Sequence, residues 1–422
     1  MKIVHIGTAD SSGGAARAAF ELHKALLRLG HESRMLVGQQ FEDRTEINRI
    51  GFSRSMAGRL LNRLVLEVET RTGLQYLIQP KRRAFLSHRF VLDADIIHLH
   101  NLHGNFFSHR ILPQLAVLAP LVWTLHDTWP LTGHCSYNYD CDRWRTGCGS
   151  CPNLDEYPSL GVDTTAFLWR VKRQVYARAD LRVAAPSKWL AAMARESPLL
   201  SGSEVHHIPY GVDTDAWRPM DPRLGREVLG IPNDAQVMMV IALPGAKRKG
   251  LDYLAGALER LGEDVALWIL IVGGRGVLRG IPGRFPVKEV GYVESAEFMN
   301  LCYASADLYV LPTLADNLPL TLLESLAAGT PAVAFDIGGV PDAVRHMETG
   351  YLARYRDPED LAGGIRSLLV AQGTRSEMRR RCREVAVREY ASGVQVNRYL
   401  EVYELAVKAR RRASEATPGK LA

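Results

Sequence analysis

Residues 308–335 read Leu308-Tyr309-Val310-Leu311-Pro312-Thr313-Leu314-Ala315-Asp316-Asn317-Leu318-Pro319-Leu320-Thr321-Leu322-Leu323-Glu324-Ser325-Leu326-Ala327-Ala328-Gly329-Thr330-Pro331-Ala332-Val333-Ala334-Phe335. The apolar run 308–311 has strand length. A loop carrying Asp316 and Asn317 follows. Pro319 suits a first helical turn, and 319–328 continue with helical spacing. A second apolar run, 331–335, is the next strand. Strand, helix and strand in this order imply a parallel sheet flanked by helices.

The same alternation extends both ways from this stretch. Toward the C-terminal half, strands are expected at 237–242 and 267–272, and helices at 251–261, 296–303 and 357–371. Before residue 206, strands are expected at 2–6, 34–37, 95–99, 121–125 and 182–185, with a helix at 15–29. The expected fold class is α/β, with two doubly wound Rossmann-like domains. At 422 residues the chain exceeds the roughly 250–300 at which one core stops growing. Expected boundaries are 1–206, with a Cys-rich insertion at 127–155, and 212–390. A helix at 391–409 would return to the first domain, ahead of a disordered tail at 410–422.

Composition narrows the class. Hydrophobic residues are 47% and charged residues 23%, which excludes wholesale disorder and collagen-like or disulfide-scaffold chains. The net charge of +6 is too small to indicate nucleic acid. It lies entirely in residues 1–211, with 25 Lys+Arg against 19 Asp+Glu. Ten of those basic residues fall between Arg44 and Arg89. Within that span, 56–68 can form a helix with Met56, Leu60, Leu61, Leu64, Val65 and Val68 on one side. It is either a core-facing helix with a solvated back or a basic helix lying on an anionic lipid surface. The start, Met1-Lys2-Ile3-Val4-His5-Ile6-Gly7, reads as a strand rather than a signal peptide, and no run is long enough to span a membrane. The expected location is cytoplasmic, with peripheral attachment at the inner face of the membrane as a further expectation.

Three stretches carry chemistry. Ser11-Ser12-Gly13-Gly14-Ala15-Ala16 joins the first strand to the first helix. Its glycines allow close backbone approach, and the helix start suits a phosphate. Pro244-Gly245-Ala246-Lys247-Arg248-Lys249-Gly250 sets three cations after a strand, where doubly wound sheets bind ligands. There they would neutralise a pyrophosphate and stabilise it as a leaving group. In 312–324, Asp316 and Glu324 flank a helix start and could grip vicinal hydroxyls. The plain alternatives are a strand–helix turn, a solvated charge run, and a capping Asp beside a solvated Glu.

Together these segments resemble family 4 of the retaining glycosyltransferases, which have the two-Rossmann GT-B fold with domains facing a central crevice. The resemblance extends to Phe335-Asp336-Ile337-Gly338-Gly339-Val340-Pro341, to Ile208–Asp213, and to His126-Asp127 after a strand. It implies a sugar transferred from a nucleotide-sugar donor to a glycan or lipid-linked glycan acceptor in polysaccharide biosynthesis. Glu324 would contact the donor ribose and Asp316 the donor sugar. Lys249, with Lys247 or Arg248, would hold the pyrophosphate. Gly13 and Gly14 would approach the phosphates or sugar, and His126 would touch the transferred sugar. Asn317 and Leu318 would offer backbone N–H groups. His126, Asp316 and Lys249 would be the catalytic set. Two departures stand out: Asp316 is shorter than the family's Glu, and Pro244 stands where the family often has Arg. The resemblance also implies front-face attack, with the departing phosphate taking the acceptor's proton, and no cofactor or metal for transfer. The rival readings are a nucleotide-sugar epimerase of the same architecture and a non-catalytic glycan- or nucleotide-binding protein.

Cys135, Cys141, Cys148 and Cys151 are spaced C-x5-C-x6-C-x2-C. A structural zinc, disulfides or free thiols, and an iron–sulfur cluster are all open readings. Trp129, Tyr137, Tyr139 and Trp144 lie in the same insertion and could stack on sugar faces. His98, His100 and His103 invite a metal reading, but with no carboxylate nearby they read as loop histidines. Cys302 and Cys382 read as packing residues.

Overall fold

The computed structural model describes residues 1–50, 55–78, 82–242, 247–370 and 372–416. Pro244-Gly245-Ala246, part of the cationic segment, lies outside the described residues. The chain forms two compact units: Met1–Pro209 with Gln395–Ala422, and Tyr210–Val394.

The first unit is built on seven parallel strands: β1 (Lys2–Ala9), β2 (Glu32–Gln39), β3 (Ile47–Arg49), β4 (Ile96–Leu99), β5 (Leu121–Thr124), β6 (Leu181–Ala185) and β7 (Glu204–His207). Their order is β3-β2-β1-β4-β5-β6-β7, so the winding reverses between β1 and β4. Every residue of β4 and β5 is buried, as strands covered on both faces require. Helix Gly14–Arg28 opens at Gly13, whose φ of 92° favours glycine.

The helix Ser392–Ala416 completes this unit. Its Val396, Tyr399, Val402, Tyr403 and Ala406 share a core cluster with Ile3, Leu26, Ile96 and Val122. The expected disorder from residue 410 is corrected here, since the helix runs on to Ala416. The Arg410 guanidinium donates to the Ala116 carbonyl at 2.8 Å, which fixes that turn.

Helix Met56–Thr72 does not meet the core-facing one of its two readings. Val65 and Glu69 are its buried residues, while Met56, Leu60, Leu61, Leu64 and Val68 are exposed. Apart from Val65, the apolar side therefore does not face the core. Among the described residues, no helix is long and apolar enough to cross a membrane.

The second unit has six parallel strands: β8 (Gln236–Ala242), β9 (Leu267–Gly273), β10 (Val287–Gly291), β11 (Leu308–Leu311), β12 (Ala332–Phe335) and β13 (Gly350–Ala353). Their order is β10-β9-β8-β11-β12-β13, with the reversal between β8 and β11. Helix Leu320–Ala327 starts after Pro319, which is its N-cap with φ −63° and ψ 123°.

Candidate functional site

In the second unit, the loops after β8 and β11 flank the reversal of strand order. That is where an open parallel sheet leaves room for a ligand at the strands' carboxyl ends. A 3₁₀ turn, Lys247–Lys249, leads through Gly250 into helix Leu251–Arg260. Gly250 has φ 65°, and a Cβ there would lie 1.9 Å from the Pro312 carbonyl oxygen. Only glycine lets the two loops approach so closely. The Leu314 N–H then donates to the Arg248 carbonyl at 2.7 Å.

This approach gathers one charge cluster. Lys249 Nζ donates to Asp316 Oδ2 at 2.7 Å. Arg248 Nη1 lies 3.0 Å from the same oxygen and donates to the Ala315 carbonyl at 2.5 Å. The Thr313 hydroxyl adds a third donor to Asp316 Oδ2, at 3.1 Å. Burial pushes the Asp316 carboxyl up, but Lys249 and Arg248 outweigh it and hold it below the usual range. Asp316 is therefore ionised and two cations are fixed beside it. Lys247 is exposed, so Arg248 is the neighbour brought to Lys249 at this carboxylate.

Asn317 and Leu318 follow in the same loop with buried side chains. Glu324 is buried in helix Leu320–Ala327, and its Oε2 accepts from the Tyr303 hydroxyl at 3.2 Å. The structure thus unites Asp316, Lys249 and Arg248 directly, and seats Glu324 against Tyr303. Thr313 was missed by the sequence reading, although it directly follows Pro312 in the motif.

In the first unit, the reversal falls between β1 and β4. Gly13, which ends the loop after β1, and Gly14, the first helical residue, are exposed, with open space where a Cβ would stand. The Asp10 carboxylate ties that loop down by accepting from the Phe41 and Glu42 N–H groups. His126 follows β5 and is buried. Its Nε2 is 3.0 Å from His100 Nδ1, and His100 Nε2 is 2.9 Å from His5 Nδ1. Burial pushes the His126 imidazole down to about 4, so it is neutral at pH 7.

The histidine expectation is corrected as well. His98 lies in β4, His100 and His103 lie in the loop after it, and all three are buried. A carboxylate is at hand: His103 Nε2 donates to Asp127 Oδ2 at 2.9 Å. Among the described residues, His5, His98 and His100 are the one set of three metal-type donors within 4.8 Å of one another. Hydrogen bonds already engage both nitrogens of His98, with Tyr403 and Thr124, and both of His100.

The four clustered cysteines line one cavity together with His134. All are free of disulfides, and the Gly133 N–H points at Cys148 Sγ at 3.2 Å. No three of their sulfurs lie within 4.8 Å of one another. Tetrahedral zinc thiolates need a spacing of about 3.8 Å. Burial pushes the Cys135 and Cys148 thiols up to about 12 and 11. Trp129 and Trp144 are buried, and the Trp129 ring lies 3.6 Å from Lys172 Nζ, so neither is open to stack on a sugar.

A glycosyltransferase family 4 model matches residues 12–216, and a group 1 glycosyl transferase model matches 235–371. The chain is a family 4 glycosyltransferase. It is 25% identical over 361 residues to the putative colanic acid biosynthesis glycosyl transferase WcaC of Escherichia coli, covering 79% of this chain and 83% of that one. Sucrose-phosphate synthase from Thermosynechococcus elongatus superposes with a TM-score of 0.68 at 16% identity, over 97% of this chain and all of that one. Anabaena Alr3699/HepE in complex with UDP-glucose gives 0.62 at 16%, over 95% and 99%. The glycosyltransferase therefore has the GT-B fold and is a hexosyltransferase-type enzyme. The epimerase and non-catalytic readings gain no support from these likenesses.

Proposed function

We propose that this glycosyltransferase moves a sugar, with retention of anomeric configuration, from a nucleotide-sugar donor to a lipid-linked glycan in polysaccharide assembly. The observation that carries the reading is the Lys249–Arg248–Asp316 cluster at the strand-order reversal. Two cations held by one carboxylate are pre-placed for a diphosphate, which would take over their hydrogen bonds. Glu324 would receive the ribose hydroxyls, and Asp316 and His126 the sugar. Asn317 and Leu318 would offer backbone N–H groups, and Gly13 and Gly14 room for close approach. Lys249 and Arg248 would stabilise the leaving phosphate as it takes the acceptor's proton. The solved relative bound to UDP-glucose and the colanic acid relative support a nucleotide sugar and a polysaccharide.

An anionic inner membrane surface is the proposed docking partner. Helix Met56–Thr72 supports it, presenting Met56, Leu60 and Leu64 to solvent with Arg59 and Arg63 alongside. A structural zinc on Cys135, Cys141, Cys148 and Cys151 belongs to the same reading, supported by their common cavity. It requires the sulfurs to draw together, and elemental analysis at one zinc per chain decides it.

The test is a thermal-shift screen against a nucleotide-sugar panel, followed by transfer assays with the donor that stabilises. Lys249→Ala should weaken binding of that donor about ten- to hundred-fold, as loss of a charged hydrogen bond implies. Unchanged donor affinity would overturn the assignment.

A further inference from the structure

His134 lines the cysteine cavity, and no step of the proposed transfer uses it. The residue is 1% exposed. Its Nδ1 lies 3.0 Å from the Pro158 carbonyl oxygen, which also accepts from Gln75 Nε2 at 2.9 Å. A carbonyl can only accept, so Nδ1 carries the proton. A neutral imidazole has one N–H and one lone pair. The lone pair is therefore on Nε2, which faces Cys151 Sγ at 3.4 Å.

A metal-binding histidine is set up in this way, with one ring nitrogen donating to a carbonyl and the other left to ligate. The separation fits as well. Zinc bonds of about 2.0–2.1 Å to nitrogen and 2.3 Å to sulfur, at a tetrahedral angle, put the two ligand atoms about 3.5 Å apart. Among the described residues, no third cavity donor lies within 4.8 Å of both atoms. The His134–Cys151 pair is thus the part of the site already in place, and two more sulfurs have to move in around it.

The surroundings are prepared for negative charge. Lys172 is buried, and its Nζ donates to the Trp129 and Thr132 carbonyls at 2.6 and 2.9 Å, with the Trp129 ring on a third side at 3.6 Å. Three such neighbours suit the three N–H groups of an ammonium. Burial pushes the amine down to about 7, while Cys148, Cys135 and then Asp127 push it back up. A buried cation needs a counter-charge. Metal-bound thiolates supply one, and a disulfide would not. The Gly133 N–H aimed at Cys148 Sγ is a donor that a bound thiolate accepts.

We propose that His134 Nε2 is a zinc ligand, so that the site holds the ion through one imidazole and three of the four clustered sulfurs. The inference rests on the zinc reading of the cavity and changes its ligand set, because a closed structural site takes four ligands.

Zinc K-edge X-ray absorption of the full-length protein, purified under reducing conditions, reads the ligand set directly. One nitrogen and three sulfurs are expected. Four sulfurs overturn the inference and leave the zinc reading standing, whereas protein without zinc by elemental analysis overturns both. His134→Asn keeps an N–H near the Nδ1 position for Pro158 and removes Nε2. It should lower zinc affinity, measured by competition with a chromophoric chelator, at least about 100-fold, since losing an outer-shell partner alone costs about 10- to 100-fold. Zinc affinity equal to the parent's overturns the assignment.

Discussion

Glu69 is a carboxylate on the buried side of a helix whose other faces meet solvent. Its Oε1 accepts from the Ile78 N–H at 3.0 Å, and its Oε2 is buried without a partner among the described residues. Burial pushes the carboxyl up to about 7, only partly offset by N–H groups of Ile78, Tyr76 and Leu77. A raised folded pKa means that the native state holds a proton the unfolded chain has lost above about 4.5. The stabilisation is complete below that value and fades as pH rises through about 7. Glu69→Gln cannot ionise, so it should match the parent's melting temperature at pH 5 and exceed it by about 2–4 °C at pH 8. Parallel melting curves across that range would show that the carboxyl is not held protonated. The sequence marked the chemistry of Asp316 and Lys249 but not their pairing. They are 67 positions apart, and the approach through Gly250 that joins them leaves no local pattern. The missing carboxylate was misjudged, because His5 reaches the histidines from β1 and Asp127 from the loop after β5.

At the scale of elements, legibility tracked burial. β1, β2, β4, β5 and β6 in one sheet and β8, β9, β11 and β12 in the other were readable as apolar runs. All four edge strands, β3, β7, β10 and β13, were missed. An edge strand has one unpaired side and fewer covering neighbours, so it needs no unbroken apolar run. β7 is Glu-Val-His-His and β10 is Val-Lys-Glu-Val-Gly, neither with a fully buried residue. Periodicity alone left helix Met56–Thr72 open between two readings, since it shows that an apolar face exists but not what covers it. Met56, Leu60, Leu64 and Val68 recur every fourth residue and form one exposed ridge. Docked on lipid, the ridge would bury Leu60 and Leu64, each worth about 1.5–3 kcal/mol when fully inserted. Leu60→Gln with Leu64→Gln should therefore cut binding to anionic vesicles at least about ten-fold. Transfer to a water-soluble acceptor should be unchanged. Cosedimentation that is equal for parent and variant would remove this helix as the lipid contact.

At the scale of the molecule, charge follows the spatial units more sharply than the linear halves. Residues 395–422 carry 6 Lys+Arg and 3 Asp+Glu and belong to the first unit, raising its net charge from +6 to +9. The second unit, 210–394, is left at −3. The C-terminal segment is thus both part of the basic unit and part of its core. Val396, Tyr399, Val402, Tyr403 and Ala406 are each at most 4% exposed. The Tyr403 hydroxyl bonds His98 Nδ1 at 2.6 Å, and the Tyr399 hydroxyl bonds Thr124 Oγ1 at 2.7 Å. Removing residues 392–422 would bare Ile3, Leu26, Ile96 and Val122 and leave His98 and Thr124 each short of a partner. Each large side chain lost costs on the order of 2 kcal/mol in burial, against a total stability of about 5–15 kcal/mol. That truncation should yield insoluble protein or a first unit without a cooperative melt. Tyr403→Phe keeps the ring and deletes the hydroxyl, so it should melt lower by a few degrees while still folding. A chain ending at residue 391 that melts like the full chain would show that the first unit closes without the returning helix.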